Sequence, residues 1–391
     1  MNTFRRDRSS ARMLTLKTVA LAAAISASSV ALAAENGNQR YSPGIGGSDM
    51  TSPLVPGWYG QVAMVAYHAS KIKGNDGKQL QQSGNIPQAA LASPTALGPT
   101  GAGFFPQGIN YSGAKVGIKT DTYAILPRIT YLSSEQVLGG NIGFTAMLPL
   151  VRREIELSST VPTLAAANVA TLNGIGASAA VTSLPRAVQA GIAAKSSDTY
   201  GIGDLEVSPI WHLEIGDHQH MTVAPTVIIP TGDYDASRRA NAGFGNFYTF
   251  RPSVQYAFVG DGWDVGARLL LSFNTRNKDN GYRSGNVLNI DYQAMKFVSE
   301  DIRLGLQGYV VEQFTDDSQD LTGYSVAQRM LLANSADLST GNKMRVYAAG
   351  PALGWLANGG EFLLEGKFLK EFGAKNRTEG QAFWLTLSKP L

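Results

Sequence analysis

Residues 247–258, FYTFRPSVQYAF, decide the fold class, because apolar side chains occupy every second position. One parity carries the apolar set of Tyr248, Phe250, Pro252, Val254, Tyr256 and Phe258. The other parity, which is mostly small or polar, carries Phe247, Thr249, Arg251, Ser253, Gln255 and Ala257. Successive side chains of a β-strand point to opposite faces of the sheet. The stretch is therefore predicted to be a strand with one face suited to lipid and the other to water.

The segments that follow repeat this alternation and indicate hairpins. Residues 263–274 again separate apolar from polar side chains by parity, and only the Gly-Asp-Gly link at 260–262 precedes them. Such a short, glycine-containing link between two alternating runs is a hairpin signal. Residues 288–294 and 302–310 form a second pair around the Ser-Glu-Asp link at 299–301. The chain is therefore predicted to form an antiparallel sheet.

Applied to the whole chain, the alternation predicts an all-β fold of about twelve strands. They lie near 57–69, 116–131, 137–151, 201–214, 219–230, 247–259, 262–274, 286–298, 301–315, 342–356, 360–371 and 380–390. Short links at 132–136, 215–218, 260–261, 299–300 and 357–359 alternate with longer ones at 70–115, 152–200, 231–246, 275–285 and 316–341. The last outer loop, near 372–379, is expected to be shorter than the others. Short periplasmic turns and long outer loops are typical of outer-membrane barrels, whose strands need about 9 to 11 residues to cross. The prediction is a transmembrane antiparallel up-and-down β-barrel.

The N-terminus is predicted to be an export signal that is cleaved. Five basic residues within the first 17 precede an uncharged run at 18–34, which contains Ala31-Leu32-Ala33, a small-x-small cleavage pattern. We therefore expect residues 1–33 to be a cleaved signal peptide, and the mature chain to reach the outer membrane of a Gram-negative bacterium. Residues 34–56 are expected to form a periplasmic N-terminal segment or a small plug in the lumen, and residues 57–391 the barrel.

The composition excludes a disulfide framework and gives no indication of nucleic-acid binding. The chain has no cysteine, so no disulfide framework supports it. Without residues 1–33 it holds 28 Lys and Arg against 29 Asp and Glu, a net charge of about −1. No basic stripe indicates nucleic-acid binding.

A soluble all-β protein, such as a sandwich or propeller, would also show alternation. A propeller should show a repeat of about 40 to 50 residues, and none is visible. Aromatic residues instead cluster toward the ends of the apolar faces, as in the girdles of membrane barrels. The predicted girdle residues are Tyr123, Tyr131, Trp211, Tyr248, Trp263, Phe273 and Trp384. These features favour the membrane barrel.

One long connection, residues 158–196, is predicted to be an outer loop that folds over or into the barrel mouth. Its first part, 158–185, has no charged residue and is rich in Ala, Thr, Ser and Asn. Gly174 and Gly176 are expected to break any helix there, and 184–194 is expected to form a short helix.

Charged residues on the inward parity are the candidate lumen-lining residues. An Arg or Lys that faced lipid near the bilayer centre would cost about 2 to 4 kcal/mol, so these side chains should face inward. The candidates are Arg128, Glu206, Arg251, Asp264, Arg268, Asp291, Arg303, Arg345, Glu365 and Lys367. Because both signs are present, they could pair and close the lumen or line a wet path across it.

Four short motifs resemble the meta-pathway-of-phenol-degradation family of outer-membrane β-barrel proteins. They are Gly-Gly-Ser-Asp-Met at 46–50, Pro-Gly-Trp-Tyr at 56–59, Pro-Arg-Ile-Thr-Tyr at 127–131 and Gly-Ile-Gly-Asp-Leu at 201–205. The resemblance implies an outer-membrane barrel associated with the catabolism of aromatic compounds, and it brings no catalytic signature.

The function predicted from these observations is an outer-membrane channel or transporter that eases passive entry of small hydrophobic or aromatic compounds, and the resemblance implies a link to aromatic catabolism. Expected partners are outer-membrane lipid and such solutes, without nucleic acid, and the protein is expected to be a monomer. No cofactor is expected. One alternative is a structural or adhesive barrel that binds partners through its loops.

Another alternative is an outer-membrane lipid or ester hydrolase. Ser208 and His212 lie on one strand face, as a nucleophile and its base would, but such a pair is common by chance. His218 and His220 could hold a metal only with further ligands, so no metal site is predicted and a surface pair is expected.

Overall fold

The computed structural model describes residues 39–51, 55–325, 342–357 and 361–391. The predicted signal peptide lies outside these residues. The strands are β1 (Gly57–Lys73), β2 (Gln81–Ile86), β3 (Ile109–Val137), β4 (Gly140–Met147), β5 (Leu150–Ser159), β6 (Thr163–Leu164), β7 (Ser197–Ile202), β8 (Leu205–Gly216), β9 (Gln219–Ile229), β10 (Thr249–Gly260), β11 (Trp263–Asn274), β12 (Tyr282–Arg283), β13 (Val287–Phe297), β14 (Ile302–Gln313), β15 (Ser318–Gln319), β16 (Arg345–Ala357), β17 (Phe362–Lys375) and β18 (Arg377–Pro390). The helices are α1 (Gln88–Leu91), α2 (Gly98–Ala102), α3 (Ala166–Gly174) and α4 (Ala180–Ala193).

The strands form a closed antiparallel barrel, because the first strand pairs with both the second barrel strand and the last. β1 pairs with β3 on one side and with β18 on the other, and the remaining neighbours follow in chain order. β4 and β5 act as one barrel strand interrupted at Pro149, and β7 and β8 as one interrupted at Gly203 and Asp204. Counted in this way, the described residues give twelve barrel strands. The predicted β-barrel is confirmed.

The barrel has one end with tight turns and one with long connections, which we call the inner and outer ends. The tight turn between β10 and β11 uses Asp261 and Gly262, both with positive φ, of 53° and 76°. A two-residue turn with two positive φ values matches the twist of an antiparallel hairpin. The last outer connection is also tight, since β17 and β18 are separated only by Asn376. The prediction of a loop at 372–379 was therefore wrong, because both strands continue through most of this range.

A cap of secondary structure covers the outer end and was largely missed. The long connections contain β2, β6 and α1–α4, and these pack with the outer parts of β3 and β5 around an apolar cluster. Leu91, Phe105, Leu172, Leu184 and Ile192 are buried in this cluster. The predicted short helix is part of α4, which begins earlier, at Ala180. The first helix of this region, α3, ends at Gly174, as expected of a helix-breaking glycine, but the helix that precedes this glycine was not predicted. None of the described helices has both the length and the apolar character that a membrane span requires.

The outward barrel face is apolar with aromatic residues at both ends. Near the inner end lie the clustered rings of Trp58, Tyr131 and Phe144. Near the outer end, Phe250 stacks on Phe273 with ring centroids 6.5 Å apart. Trp384 was wrongly assigned to this girdle, since its side chain is 2% exposed and faces the lumen.

Three lipid-facing prolines lie side by side in β8, β9 and β10, and we call them the proline row: Pro209, Pro225 and Pro252. Pro225 is directly opposite Pro252. Between β8 and β9 the pairing stops after Val207 and resumes at Trp211. Proline has no N–H to donate to the sheet, so it interrupts the hydrogen-bond ladder. The barrel wall is therefore less continuously bonded at this level.

Candidate functional site in the barrel lumen

Residues 39–51, the lumen segment, run through the inside of the barrel. At the outer end, the Arg40 guanidinium donates to the backbone oxygen of Gly245 at 2.7 Å and pairs with Asp204 at 3.0 Å. Toward the inner end, Gln293 donates its amide to the Thr51 hydroxyl at 2.8 Å. The segment therefore descends from the outer half of the lumen to the level at which β1 begins.

Two glycines let the lumen segment lie directly against the barrel wall. A Cβ at Gly46 would come within 2.7 Å of a carboxylate oxygen of Asp291, and one at Gly47 within 2.1 Å of a carboxylate oxygen of Glu365. Real Cβ atoms do not approach other atoms so closely, so no side chain fits at either position. This packing gives a physical reason for the Gly-Gly pair in the first sequence motif.

The Asp291 carboxylate holds the segment by accepting hydrogen bonds from it. The backbone N–H groups of Gly44 and Gly46 donate at 3.0 and 2.8 Å, and the Tyr41 hydroxyl donates as well. Asp291 is completely buried. Three donors compensate a buried carboxylate for much of its lost hydration. Asp291 is therefore an anchor of the segment.

A second anchor is formed by β17. Glu365 accepts hydrogen bonds from both the backbone N–H and the hydroxyl of Ser48. The Lys367 ammonium donates to the backbone oxygen of Gly46 at 2.6 Å and to Gln307 at 2.8 Å. Lys367 and Glu365 also pair, at 3.6 Å. These buried charges thus compensate one another and fix the segment.

On the opposite side, Asp49 of the lumen segment reaches the wall. Its carboxylate pairs with Arg128 at 3.0 Å and with Arg268 at 3.1 Å. Desolvation by burial opposes ionisation, but Arg268 and then Arg128 outweigh it and lower the pKa of the Asp49 carboxyl to about 2. Asp49 therefore stays charged at neutral pH and bridges β3 and β11.

Two further charged pairs join residues of the wall to each other: Arg251 with Glu206, and Arg303 with Asp264. Arg251 also donates to the backbone oxygen of Arg40 in the lumen segment at 3.2 Å. Nine of the ten candidate residues therefore face the lumen, and eight of them take part in ion pairs while Asp291 binds the segment. The charges close off much of the lumen by pairing.

Arg345 is the exception, and its assignment to the lumen was wrong. It shares a strand face with Tyr347, whose ring centroid lies 5.5 Å from the guanidinium carbon. In register it is opposite Glu312, an exposed residue of β14. The residue begins β16 at the outer end, beyond the apolar band, where an outward Arg meets water and carries no lipid penalty.

The segment leaves an inner cavity of about 200 Å³ between itself and the wall formed by β1, β3, β4 and β8–β11. Hydroxyl groups of Thr130, Thr145, Ser208, Thr222 and Ser253 line it. Apolar side chains are interspersed, including Met147, Ile210 and Leu270. The surface is thus mixed, with polar groups at intervals along apolar walls.

Nearer the outer end lies an outer cavity of about 140 Å³. Its walls carry five aromatic rings: Tyr41, Tyr67, Phe244, Tyr309 and Trp384. Tyr41 and Ser42 line both cavities, so the two lie on either side of these residues. Tyr41 is held by its bond to Asp291 and therefore forms the narrow point between them.

The residues proposed for hydrolysis are engaged elsewhere. His212 uses Nδ1 on the Thr222 hydroxyl at 2.8 Å and Nε2 on Glu214 at 3.1 Å. Ser208 donates to the Pro209 carbonyl at 2.9 Å. Ser208 and His212 therefore do not form a nucleophile and base pair in this geometry.

The prediction that His218 and His220 form a surface pair was also wrong. His220 is buried and its ring centroid lies 5.3 Å from that of His212, whereas His218 is exposed in the turn before β9. No group of three or more potential metal ligands occurs among the described residues.

Sequence reasoning missed the lumen residues of the segment itself, Tyr41 and Asp49, and the outer-cavity residues Arg153, Glu371 and Arg377. Parity along β17, which placed Glu365 and Lys367 inward, also indicates Glu371. For Tyr41 and Asp49 no local signal exists, since their partners are more than 75 residues away.

Comparison with known proteins extends these observations. Residues 106–387 match the profile of the family described as "Putative MetA-pathway of phenol degradation". The motifs at 127–131 and 201–205 lie inside the match, and those at 46–50 and 56–59 precede it. The predicted family resemblance is confirmed. A comparison with curated proteins finds no match.

Among solved structures, an outer membrane channel from Pseudomonas putida F1 is similar, with 12% identity, a TM-score of 0.57, and coverage of 90% of this chain and 100% of that one. At this identity the likeness establishes the shared barrel fold. A structure named the CymD monoaromatic hydrocarbon channel aligns over 93% of this chain and 98% of its own, with 11% identity and a TM-score of 0.37.

Proposed function

The chain belongs to the family described as "Putative MetA-pathway of phenol degradation", and on that premise we propose that it is an outer-membrane channel for passive entry of small hydrophobic or aromatic compounds. The observation that carries the proposal is the pair of cavities that meet at Tyr41 inside a closed barrel. Together they form a divided path along the barrel axis.

The size of the cavities supports small solutes. An apolar cavity of about 150 Å³ holds one benzene molecule. The inner and outer cavities, of about 200 and 140 Å³, are close to that size. A single aromatic ring therefore fits each one, whereas a disaccharide requires the lumen segment to move.

The chemistry of the walls favours passive transfer. Aromatic rings in the outer cavity bind a ring by stacking and edge contacts, worth about 0.5–1.5 kcal/mol each beyond area burial. The hydroxyls of the inner cavity provide weaker, exchangeable hydrogen bonds. Each of these contacts is weak, so a neutral solute is released again, and diffusion down a gradient needs no further energy.

The same proposal includes export and location. We propose that residues 1–33 are removed as a signal peptide and that the barrel resides as a monomer in the outer membrane of a Gram-negative bacterium. The apolar outward face with its two aromatic girdles supports a bilayer location.

The test compares uptake of radiolabelled toluene and a labelled disaccharide by cells with and without the protein. Substrate concentrations are kept low, so that outer-membrane passage limits the rate. We expect the protein to accelerate toluene uptake and to leave disaccharide uptake unchanged. Equal uptake of toluene with and without the protein would refute the proposal.

A variant at Tyr41 tests whether solutes pass through the two cavities. Tyr41→Ala widens the narrow point between the cavities and is expected to raise the uptake of both compounds. Tyr256→Ala is the matched control, because Tyr256 lies on the outward face of β10.

A further inference from the structure

The outer cavity carries an excess of positive charge. Its lining includes the guanidinium groups of Arg153, Arg239 and Arg377, and one carboxylate, that of Glu371. The arginines therefore place a net positive charge on a cavity whose other walls combine aromatic, aliphatic and neutral polar side chains.

The single carboxylate is already compensated. Glu371 pairs with Arg377 at 3.0 Å and accepts hydrogen bonds from the hydroxyls of Tyr67 and Tyr309 at 2.8 and 2.7 Å. The backbone N–H of Gly380 donates to it as well, at 2.6 Å. With four donors around it, Glu371 is not available to neutralise a second arginine.

Arg153 has no carboxylate within ion-pair distance among the described residues. Its Nε is 3.3 Å from the Thr122 hydroxyl, and its Nη1 is 3.5 Å from the backbone oxygen of Asn241. Both contacts are long for hydrogen bonds from a charged donor, which are normally about 2.7–2.9 Å. The guanidinium therefore retains the capacity to bind an anion strongly.

Two neutral groups in the same cavity point to a polar ligand. The side-chain amide of Gln39 and the indole N–H of Trp384 line the cavity, are buried, and have no hydrogen-bond partner within the described part of the chain. A buried polar group without a partner costs about 1–3 kcal/mol. A ligand with oxygen atoms would supply acceptors for Nε2 of Gln39 and Nε1 of Trp384.

From these contacts we propose that the outer cavity is a binding site for aromatic carboxylates, with the carboxylate on Arg153 and the ring against the aromatic wall. This inference rests on the proposed function and names the class of solute that the channel selects. Arginine presents parallel N–H donors that match both oxygens of a carboxylate. The aromatic ring occupies the space between Tyr67, Phe244 and Trp384, which line the cavity.

The test is isothermal titration calorimetry of the full detergent-solubilised protein with benzoate, benzyl alcohol and acetate. Benzyl alcohol has nearly the shape of benzoate without its charge, and acetate has the charge without the ring. We expect benzoate to bind at least tenfold more tightly than either. If acetate binds as tightly as benzoate, the aromatic wall contributes nothing and the proposal is wrong.

Three variants test the position of the site. Arg153→Gln is expected to abolish the preference for benzoate over benzyl alcohol, and Arg152→Gln, which removes the same charge from the outward face of β5, is expected to keep it. Arg153→Lys keeps the charge without the paired donors and is expected to retain a reduced preference. An unchanged preference in a folded Arg153→Gln protein would overturn the assignment.

Transport of benzoate and benzyl alcohol into proteoliposomes distinguishes a failure of the carboxylate site from a failure of the proposed channel function. In proteoliposomes, passage of benzyl alcohol without a preference for benzoate would contradict the carboxylate site and leave the channel function intact. If the protein accelerates neither compound, the channel function itself fails.

Discussion

At the scale of single residues, two glycines let the lumen segment lie close enough to the barrel wall for charged side chains to hold it. Gly46 and Gly47 bring the backbone against Asp291 and Glu365, and the wall supplies the charged partners. The same contacts set how much of the lumen remains open. Substitutions here should therefore change both stability and pore size.

Gly47→Val is expected to displace the lumen segment and enlarge the pore. Its Cβ would lie 2.1 Å from a carboxylate oxygen of Glu365, so the segment must shift. Overpacking of this kind costs about 1–3 kcal/mol. We expect a higher single-channel conductance in planar bilayers and a lower unfolding temperature.

The matched control is Gly366→Val, the next residue after Glu365, where a Cβ meets nothing within 4 Å. Conductance equal to that of the wild type in Gly47→Val would mean that the segment does not limit the pore.

Asp49→Asn is expected to shift ion selectivity toward anions. The substitution leaves Arg128 and Arg268 without their shared carboxylate beside the inner cavity. We expect the anion-to-cation permeability ratio, from reversal potentials in a salt gradient, to rise by about fivefold, as roughly 1 kcal/mol of charge interaction implies. Asp261→Asn, in the exposed inner turn, should leave the ratio unchanged, and an equal ratio in both variants would contradict the prediction.

Strand parity alone was enough to predict the inward position of nine charged residues, because a charge on the lipid face is costly. It misplaced Arg345, since that penalty vanishes beyond the bilayer. It also could not find the partners of Asp49, because Arg128 and Arg268 lie 79 and 219 residues away in the sequence.

At the scale of elements, β3 shows why the residues of the outer cavity could not be predicted from the sequence. In its inner part, apolar Ile125 and Ile129 face outward and Arg128 faces the lumen. In its outer part, Val116 and Ile118 face inward. The polarity of the two faces thus inverts at the bilayer boundary. Arg153, which pairs in register with Thr122 near this boundary, could not be assigned by a single parity rule.

The proline row is expected to weaken the wall beside the inner cavity. Peptides from β8 and β9 should exchange backbone amide hydrogens faster than peptides from β13 and β14, whose pairing has no interruption. Pro225→Val restores a donor and should slow exchange in this region. Hydrogen–deuterium exchange measured by mass spectrometry tests this, and similar rates in the two hairpins would contradict it.

At the scale of the whole molecule, the barrel could be predicted and its cap could not. Alternation with short and long connections fixes strand number and sidedness, because a membrane strand has a set length and two unlike faces. The cap helices are rich in small residues, and their apolar face is completed only by residues from other elements, including β3 and β5. No local pattern shows that packing.

Replacing residues 166–193, which form α3 and α4, with a short Gly/Ser linker is expected to reduce selectivity while the barrel still folds. The change uncovers the outer cavity, so uptake of a disaccharide should rise relative to toluene in the whole-cell assay. Resistance to detergent unfolding on unheated gels reports on the barrel. A folded variant with wild-type selectivity would show that the cap does not control entry.

The closure of the barrel through β1 and β18 has a consequence for biogenesis. The lumen segment directly precedes β1, yet it is bound to Asp291 and Glu365 in the C-terminal half of the chain. Once the seam has formed, the charged and aromatic interior leaves little room for a chain to thread past. The segment must therefore be enclosed while the seam is still apart, so that insertion of the protein and occupation of its own interior are a single event.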